Sequence, residues 1–308
     1  MNFSVVLTVY NKGKQIENTL KSVLKQTYQK YEIIIINDGS TDDSEQKIKA
    51  FKDSRIRYFS QQNKGAAAAR NAGIKKAKYN YIALLDADDY WFPHYLEEQK
   101  KSIEKFPEEK VFSTAKQKRI GEKTFPEEYS IAENTTFPKA VNYFESSFQS
   151  SVLHSSTIVI HKEVFEKVGF YNPKYKSGQD TDLYVRIGLN YKVVFSNRIC
   201  VEYIIFENSL FRSIKKLDEK AGFEEYEKYE NKNPALKKFL DLNRFSLAIF
   251  AKTNGDQEGF KKNRNKIDFN NLNAKQRFLL KQNKAVLISL FKVKNSFAKL
   301  GIKLSAFK

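Results

Sequence analysis

Four short apolar runs separated by helix-forming segments fill the first 86 residues and leave this chain little choice of fold. "FSVVLTVY" (3–10), "YEIIIIND" (31–38), "RIRYF" (55–59) and "YIALLD" (81–86) read as strands. The second centres on four consecutive isoleucines, a β-branched run as expected of a central parallel strand. Between the first two, 13–26 sets Ile16, Leu20, Val23 and Leu24 at helical spacing. Segment 40–51 opens with Ser40-x-x-Asp43, a capping-box pattern, and "GAAAARNAGIKKA" (65–77) is a third helix. Repeated alternation of this kind gives a doubly wound α/β sheet. Ligands on such sheets bind beyond the carboxyl ends of the strands. Asp38 and Asp86 stand at two such ends, so two carboxylates converge on one crevice.

Beyond Trp91 the alternation loosens. A helix is expected over 93–106, and 117–150 is polar, contains Pro126 and Pro138, and reads as a long loop. A strand (156–161) and a helix ending at Gly169 (162–171) follow. A helix with an acidic first turn (177–189), strands over 192–197 and 200–206, and a helical remainder from about 212 complete the reading.

With 41% hydrophobic residues in 308, the chain has the means to bury a sizeable core. A single cysteine, Cys200, excludes an intramolecular disulfide and a cysteine-based zinc site. His94, His154 and His161 are scattered; the last two are expected in packing or surface roles. No apolar run approaches the roughly 18 residues of a membrane span, and no secretory leader is evident. A cytoplasmic location is expected.

The acidic tip of the fourth strand, Asp86-Ala87-Asp88-Asp89, stands out in a chain of formal net charge +18. Carboxylates this close resist joint ionisation, so a positive partner is expected. Oxygen ligands without His or Cys favour a hard cation, Mg²⁺ or Mn²⁺, which keeps open positions for substrate phosphates. The alternative is an acidic turn capping the next helix through Asp88 or Asp89. Neither a Walker loop nor a Gly-x-Gly-x-x-Gly follows the first strand, which weakens NTPase and dehydrogenase readings.

Five landmarks occur in order: Thr-Val-Tyr-Asn, Asn-Asp-Gly-Ser-Thr-Asp, Gly-x-x-x-Ala-Arg-Asn-x-Gly, Leu-Asp-x-Asp-Asp, and "VGFYNPKYKSGQDTDLYVRI". Over residues 3 to about 206 the chain resembles the family 2 inverting glycosyltransferases of the GT-A fold. The resemblance implies a Rossmann-like mixed sheet flanked by helices, here with a C-terminal helical extension. It implies a nucleotide-sugar-binding half (1–110), an acceptor-binding half of the same catalytic domain (111–206) and a basic extension (207–308). Thr8 and Tyr10 would line the nucleobase pocket, and Asp38 would bond the base. Arg70 would steady the acidic cluster or a phosphate. Asp86 would contact the ribose or the metal, and Asp88 would bind Mn²⁺ or Mg²⁺. Asp180 would be the base of a single displacement, with Asp182 as rival. Gln179 stands where the family usually has Glu, and Tyr184 where many relatives have Trp. Arg186 is expected to pair with a carboxylate. The implied partners are a nucleotide-sugar donor, most readily a UDP-sugar, and a saccharide or lipid-linked acceptor of a surface glycan; no specific nucleic acid is expected.

The C-terminal 269–308 carries nine Lys/Arg and no Asp or Glu. Val286, Leu290, Val293, Phe297, Leu300, Leu304 and Phe307 recur at spacings of four and three, one face of a helix. Such a segment either packs on the catalytic domain or makes peripheral contact with an anionic membrane at its inner face. Two other classes stay open: a nucleotidyltransferase releasing pyrophosphate, and a catalytically retired fold that binds membrane or nucleic acid through its charge.

Overall fold

A computed structural model describes residues 1–132, 134–205, 216–299, 302 and 304–307. Its centre is one sheet. Strands β1 (Phe3–Val9), β2 (Tyr31–Asn37), β3 (Ile56–Ser60) and β4 (Tyr81–Asp86) run parallel, in the order β3-β2-β1-β4. Between them lie helices α1 (Ile16–Leu24), α2 (Ser44–Lys49) and α3 (Ala66–Lys76). The sheet continues through β9 (Ile158–His161), β6 (Val111–Ile120), β10 (Val193–Ile204) and β5 (Tyr90–Trp91). β9 is antiparallel to both of its neighbours, so the sheet is mixed.

The alternation of the pleat explains the apolar runs. Ile34 and Ile36 face one core with Ala67, Ala69 and Ile74 of α3. Ile33 and Ile35 face the other with Ile16, Leu20 and Val23 of α1. Every residue of β2 is buried, which removes any polar period.

Helix α3 carries almost no amphipathic signature, because it packs through small residues. A Cβ on Gly73 would lie 2.3 Å from Val6 Cγ1 and 3.3 Å from Ile36 Cγ1. The glycine, more than the alanines before it, sets how closely α3 approaches the sheet.

Three expectations need correction. The polar segment 117–150 is a loop only in part. β6 extends into it, turns back as β7 (Lys123–Pro126), and is followed by β8 (Lys139–Val141), which pairs with β10, and by α5 (Tyr143–Ser146). Gln117, Lys118 and Arg119 are held by backbone pairs between β7 and β10, and Lys116 pairs with Val201 of β10, so no apolar period is needed there. Lys118 also lies 2.6 Å from buried Glu127. Burial works to raise that carboxyl, but Lys118 and Lys116 hold it at about 2.

Second, the strands expected at 192–197 and 200–206 are one strand, β10, with register shifts between Ser196 and Val201; Phe206 lies outside the described residues. Third, Ser40 and Asp43 form no capping box. Helix α2 starts at Ser44, Asp43 gives no side-chain cap, and Asp42 instead accepts the Gly13 N–H at 2.9 Å.

Helices α4 (Tyr95–Lys105), α6 (Lys162–Val168) and α7 (Gln179–Gly188) cover the second half of the sheet. The extension packs through the helix Pro234–Asn254, capped by the Asn233 side chain. Its Leu236, Phe239 and Leu240 join Tyr143 and Phe144 in the main core. Its Leu242, Phe245, Ala248 and Ile249 form a smaller core with Leu280 and Leu287. Among the described residues no helix is long and apolar enough to cross a membrane.

The close approach at Gly73 has a measurable consequence. Gly73→Val overpacks a site against Val6, itself 1% exposed, and should cost about 1–3 kcal/mol. Thermal unfolding should shift down by several degrees; an unchanged midpoint would show that α3 does not depend on this contact.

Candidate active site

β1, β2 and β4 are parallel, so their carboxyl ends share one edge. In register, Thr8 lies beside Asp86. Tyr10, just past β1, is 42% exposed. Asp38, just past β2, is buried, and its carboxylate accepts from Gln61 Nε2 (2.7 Å) and from the N–H groups of Lys64 (3.0 Å) and Gly65 (2.8 Å). It ties down the loop that leads into α3.

The three carboxylates of the acidic tip take three different partners. Asp86 Oδ1 meets Arg70 Nη2 at 2.6 Å. Asp88 Oδ2 meets Lys12 Nζ at 2.5 Å. Asp89 is 1% exposed and accepts from Ser156 Oγ at 2.5 Å and from the Ile204 N–H at 3.3 Å. The expectation that Asp89 caps the next helix therefore fails: it fastens the tip to β10, and His94 precedes α4. The positive partners expected at the tip include two of the chain's own, Arg70 and Lys12. Lys12 was missed because no spacing rule links residue 12 to residue 88.

Burial sets the electrostatics. It pushes the Asp86 carboxyl up, but the charge of Arg70 reverses this and leaves it below the usual value. Asp89 has no such cation; burial, and then Asp88 and Asp86, push it well above the usual range.

Arg70 is 6% exposed and reaches a third element. Its Nη1 lies 3.4 Å from Asp180 Oδ1. Burial opposes its charge, yet Asp180 and Asp86 hold it protonated more firmly than usual. The guanidinium also lies over the Tyr171 ring at 5.4 Å. The next residue, Asn71, bonds both the N–H and the C=O of Tyr171 (3.0 and 2.8 Å). One turn of α3 thus fixes β4, the loop after α6, and α7.

Asp180 sits in the first turn of α7, which Gly178 opens at φ 81°. Ser155 Oγ donates to its Oδ1 at 2.8 Å, and its side chain is 34% exposed. Asp182 differs. It is buried, paired with Arg186 at 2.6 Å, and accepts from Tyr226 Oη at 2.5 Å. Arg186 also donates to the carbonyls of Val168, Gly169 and Phe170. Of the two rival aspartates, only Asp180 opens on the crevice.

Sequence reasoning also passed over Ser155 and Ser156, while His154 takes the packing role expected of it. His154 accepts the Ser156 N–H on Nδ1 and packs edge-on against Tyr203 at 4.9 Å. Burial, with Lys116 nearby, lowers its pKa to about 3, so it is neutral at pH 7. His161 matches its expected role, packed on Tyr81 and beside Glu163. Among the described residues the buried hydroxyls of Tyr171 and Tyr184 find no hydrogen-bond partner.

The two α7 aspartates should separate by stability. Asp182→Ala strands Arg186 and Tyr226 and should cost about 3 kcal/mol. Asp180→Asn leaves buried Arg70 its closer partner Asp86 and keeps a polar side chain beside Ser155, so it should cost clearly less than Asp182→Ala. Denaturant melts of the two variants check this; equal losses would contradict the division of roles.

Known proteins agree with this architecture. The sequence model of the family described as Glycosyl transferase family 2 matches residues 4–169. The chain is 34% identical over 185 residues to an Escherichia coli protein named UDP-Glc:alpha-D-GlcNAc-diphosphoundecaprenol beta-1,3-glucosyltransferase WfaP, covering 60% of this chain and 69% of that one. It is 36% identical over 185 residues to an uncharacterized glycosyltransferase of Rickettsia bellii, covering 60% of this chain but 26% of that protein. The first relatives are thus far longer, and this chain spans about a quarter to a third of them. The S. aureus TarS 1–349 structure with UDP-GlcNAc superposes with a TM-score of 0.59 at 15% identity, covering 86% of this chain and 91% of that one. That likeness shows the fold, GT-A as expected. The matched segment holds β1 to β4 and the acidic tip, and the chain belongs to glycosyl transferase family 2.

Proposed function

We propose that this chain transfers a sugar from a nucleotide-sugar, of the UDP class, to a hydroxyl of a glycan or lipid-linked saccharide, with inversion in a single displacement. The observation that carries the reading is Arg70, buried between Asp86 of the strand-end motif and Asp180 of α7. It sets an acidic donor-side edge and one open carboxylate across a single guanidinium. The UDP-GlcNAc in the TarS structure and the UDP-Glc and diphosphoundecaprenol in the WfaP name support the donor and acceptor classes.

In this reading Thr8 and the exposed Tyr10 ring line the base pocket, and Asp38 holds its floor through the Gln61 side chain and the Lys64 and Gly65 N–H groups. The donor set fits Mn²⁺ or Mg²⁺. Asp88 is an oxygen ligand whose side chain is 23% exposed, and a lysine ammonium already stands against it. A cation of this class takes one or two carboxylates and completes its shell with water and phosphates. Asp88, with Asp86 beside it, would hold that cation. When bound, it would stabilise the charge that develops on the departing diphosphate.

The remaining steps belong to the chain's own groups. Asp180 accepts the proton of the acceptor hydroxyl as that oxygen attacks the anomeric carbon. Ser155 orients its Oδ1, and Arg70 fixes the carboxylate relative to Asp86. Gln179 in place of an acid leaves Asp180 without a like charge beside it. The paired but still accessible Asp88 and Asp180 also speak against a retired fold.

Asp180→Asn should lower turnover of nucleotide-sugar by about 10²–10⁴-fold and leave nucleoside diphosphate affinity unchanged, read by diphosphate release and by calorimetry. Full turnover in this variant would remove Asp180 from the mechanism.

A further inference from the structure

The helix Lys284–Lys299 is the last helix among the described residues, and little of it is buried. Of residues 284–297 whose burial is described, only Leu287 is buried, against the small core that contains Leu280 and Phe245. Of the apolar row read from the sequence, Phe307 packs against Phe245 of the small core, whereas the four members on this helix stay exposed. Val286 is 38% exposed, Leu290 39%, Val293 48% and Phe297 38%. At 3.6 residues per turn their spacings of four, three and four place all four within an arc of about 60°. Ile288 and Phe291 add further exposed apolar surface on the same helix, and Phe278, on the preceding helix Ala274–Lys281, is 55% exposed. Leu300, Gly301, Lys303 and Lys308 lie outside the described residues.

The occupant of this face must satisfy two conditions. It must offer an apolar phase, because an exposed row of this kind is unfavourable in water. It must also be anionic, because 269–308 holds nine Lys/Arg and no Asp or Glu. A second copy of the helix meets the first condition but doubles a charge of one sign. A nucleic acid meets the second but gives the row nowhere to go. A bilayer with anionic headgroups meets both, since an amphipathic helix lies in the interface plane with its apolar side among the acyl chains. Lysines on long stems reach the headgroups from there.

We propose that the helix Lys284–Lys299 docks in the plane of an anionic lipid surface, inserting the Val286, Leu290, Val293 and Phe297 row. The contact is peripheral and needs no spanning segment. It rests on this surface alone and not on the reaction proposed above.

Flotation of the full chain with vesicles tests it. The protein should float with equimolar phosphatidylcholine and phosphatidylglycerol, stay behind with phosphatidylcholine alone, and release as salt rises. The double variant Leu290→Ser/Phe297→Ser replaces side chains that are already exposed, so its melting point should match wild type while its vesicle affinity falls about tenfold or more. The triple variant Lys275→Glu/Lys281→Glu/Lys292→Glu should fall similarly. Three results would overturn the proposal: no flotation of the wild-type chain, flotation untouched by the apolar double variant, or a dimer in sedimentation that the double variant dissolves.

Discussion

A guanidinium placed almost wholly out of water survives only where carboxylates surround it. Arg70 meets that condition with two, Asp86 from the end of β4 and Asp180 from the start of α7. The pairs join parts of the chain 110 residues apart and cross from the parallel strands to the second half of the sheet. Much of the site follows from it. Asp86 stays ionised despite burial, and Asp180 is held facing the crevice. Asn71, the neighbouring residue, pins Tyr171 so that the loop before α7 cannot drift. None of this works unless α3 lies close to the sheet, which Gly73 permits.

The acidic tip shows how a run of like charges is tolerated. Arg70 neutralises Asp86, Lys12 neutralises Asp88, and Asp89 is pushed toward its neutral form among Ser156 and the Ile204 N–H. Adjacent carboxylates with different partners can hold different protonation states. Lys12 is the more exposed of the two cations, with 29% of its side chain accessible against 7% for Arg70. In the proposed reading the more accessible Lys12 would give way to a cation at Asp88, while Arg70 would stay on Asp86.

The parallel half of the sheet was legible because β1, β2 and β4 are buried on both faces, and their apolar runs admit no other fold. The five motifs placed the edge where Asp86, Asp88 and Asp180 stand. The 117–150 region was not legible. Lys116 to Arg119 pair through their backbones, which side-chain periodicity does not record, and the two prolines suggested a loop. Asp180 and Asp182 look alike in sequence; only the burial of Asp182 against Arg186 and Tyr226 separates them. Lys12 was hidden for a related reason, since in a chain this rich in lysine nothing local marks the one that reaches a strand tip 76 residues away.

The central claim is that this edge holds a nucleoside diphosphate together with a divalent cation on Asp88. Calorimetric titration of UDP, with GDP and CDP as comparators, should be done with and without Mn²⁺ on the wild-type chain and on Asp88→Ala. The account predicts that UDP binds, that Mn²⁺ tightens it, and that Asp88→Ala loses the gain from Mn²⁺. Failure of every nucleoside diphosphate to bind, or a Mn²⁺ gain that survives in Asp88→Ala, would contradict it.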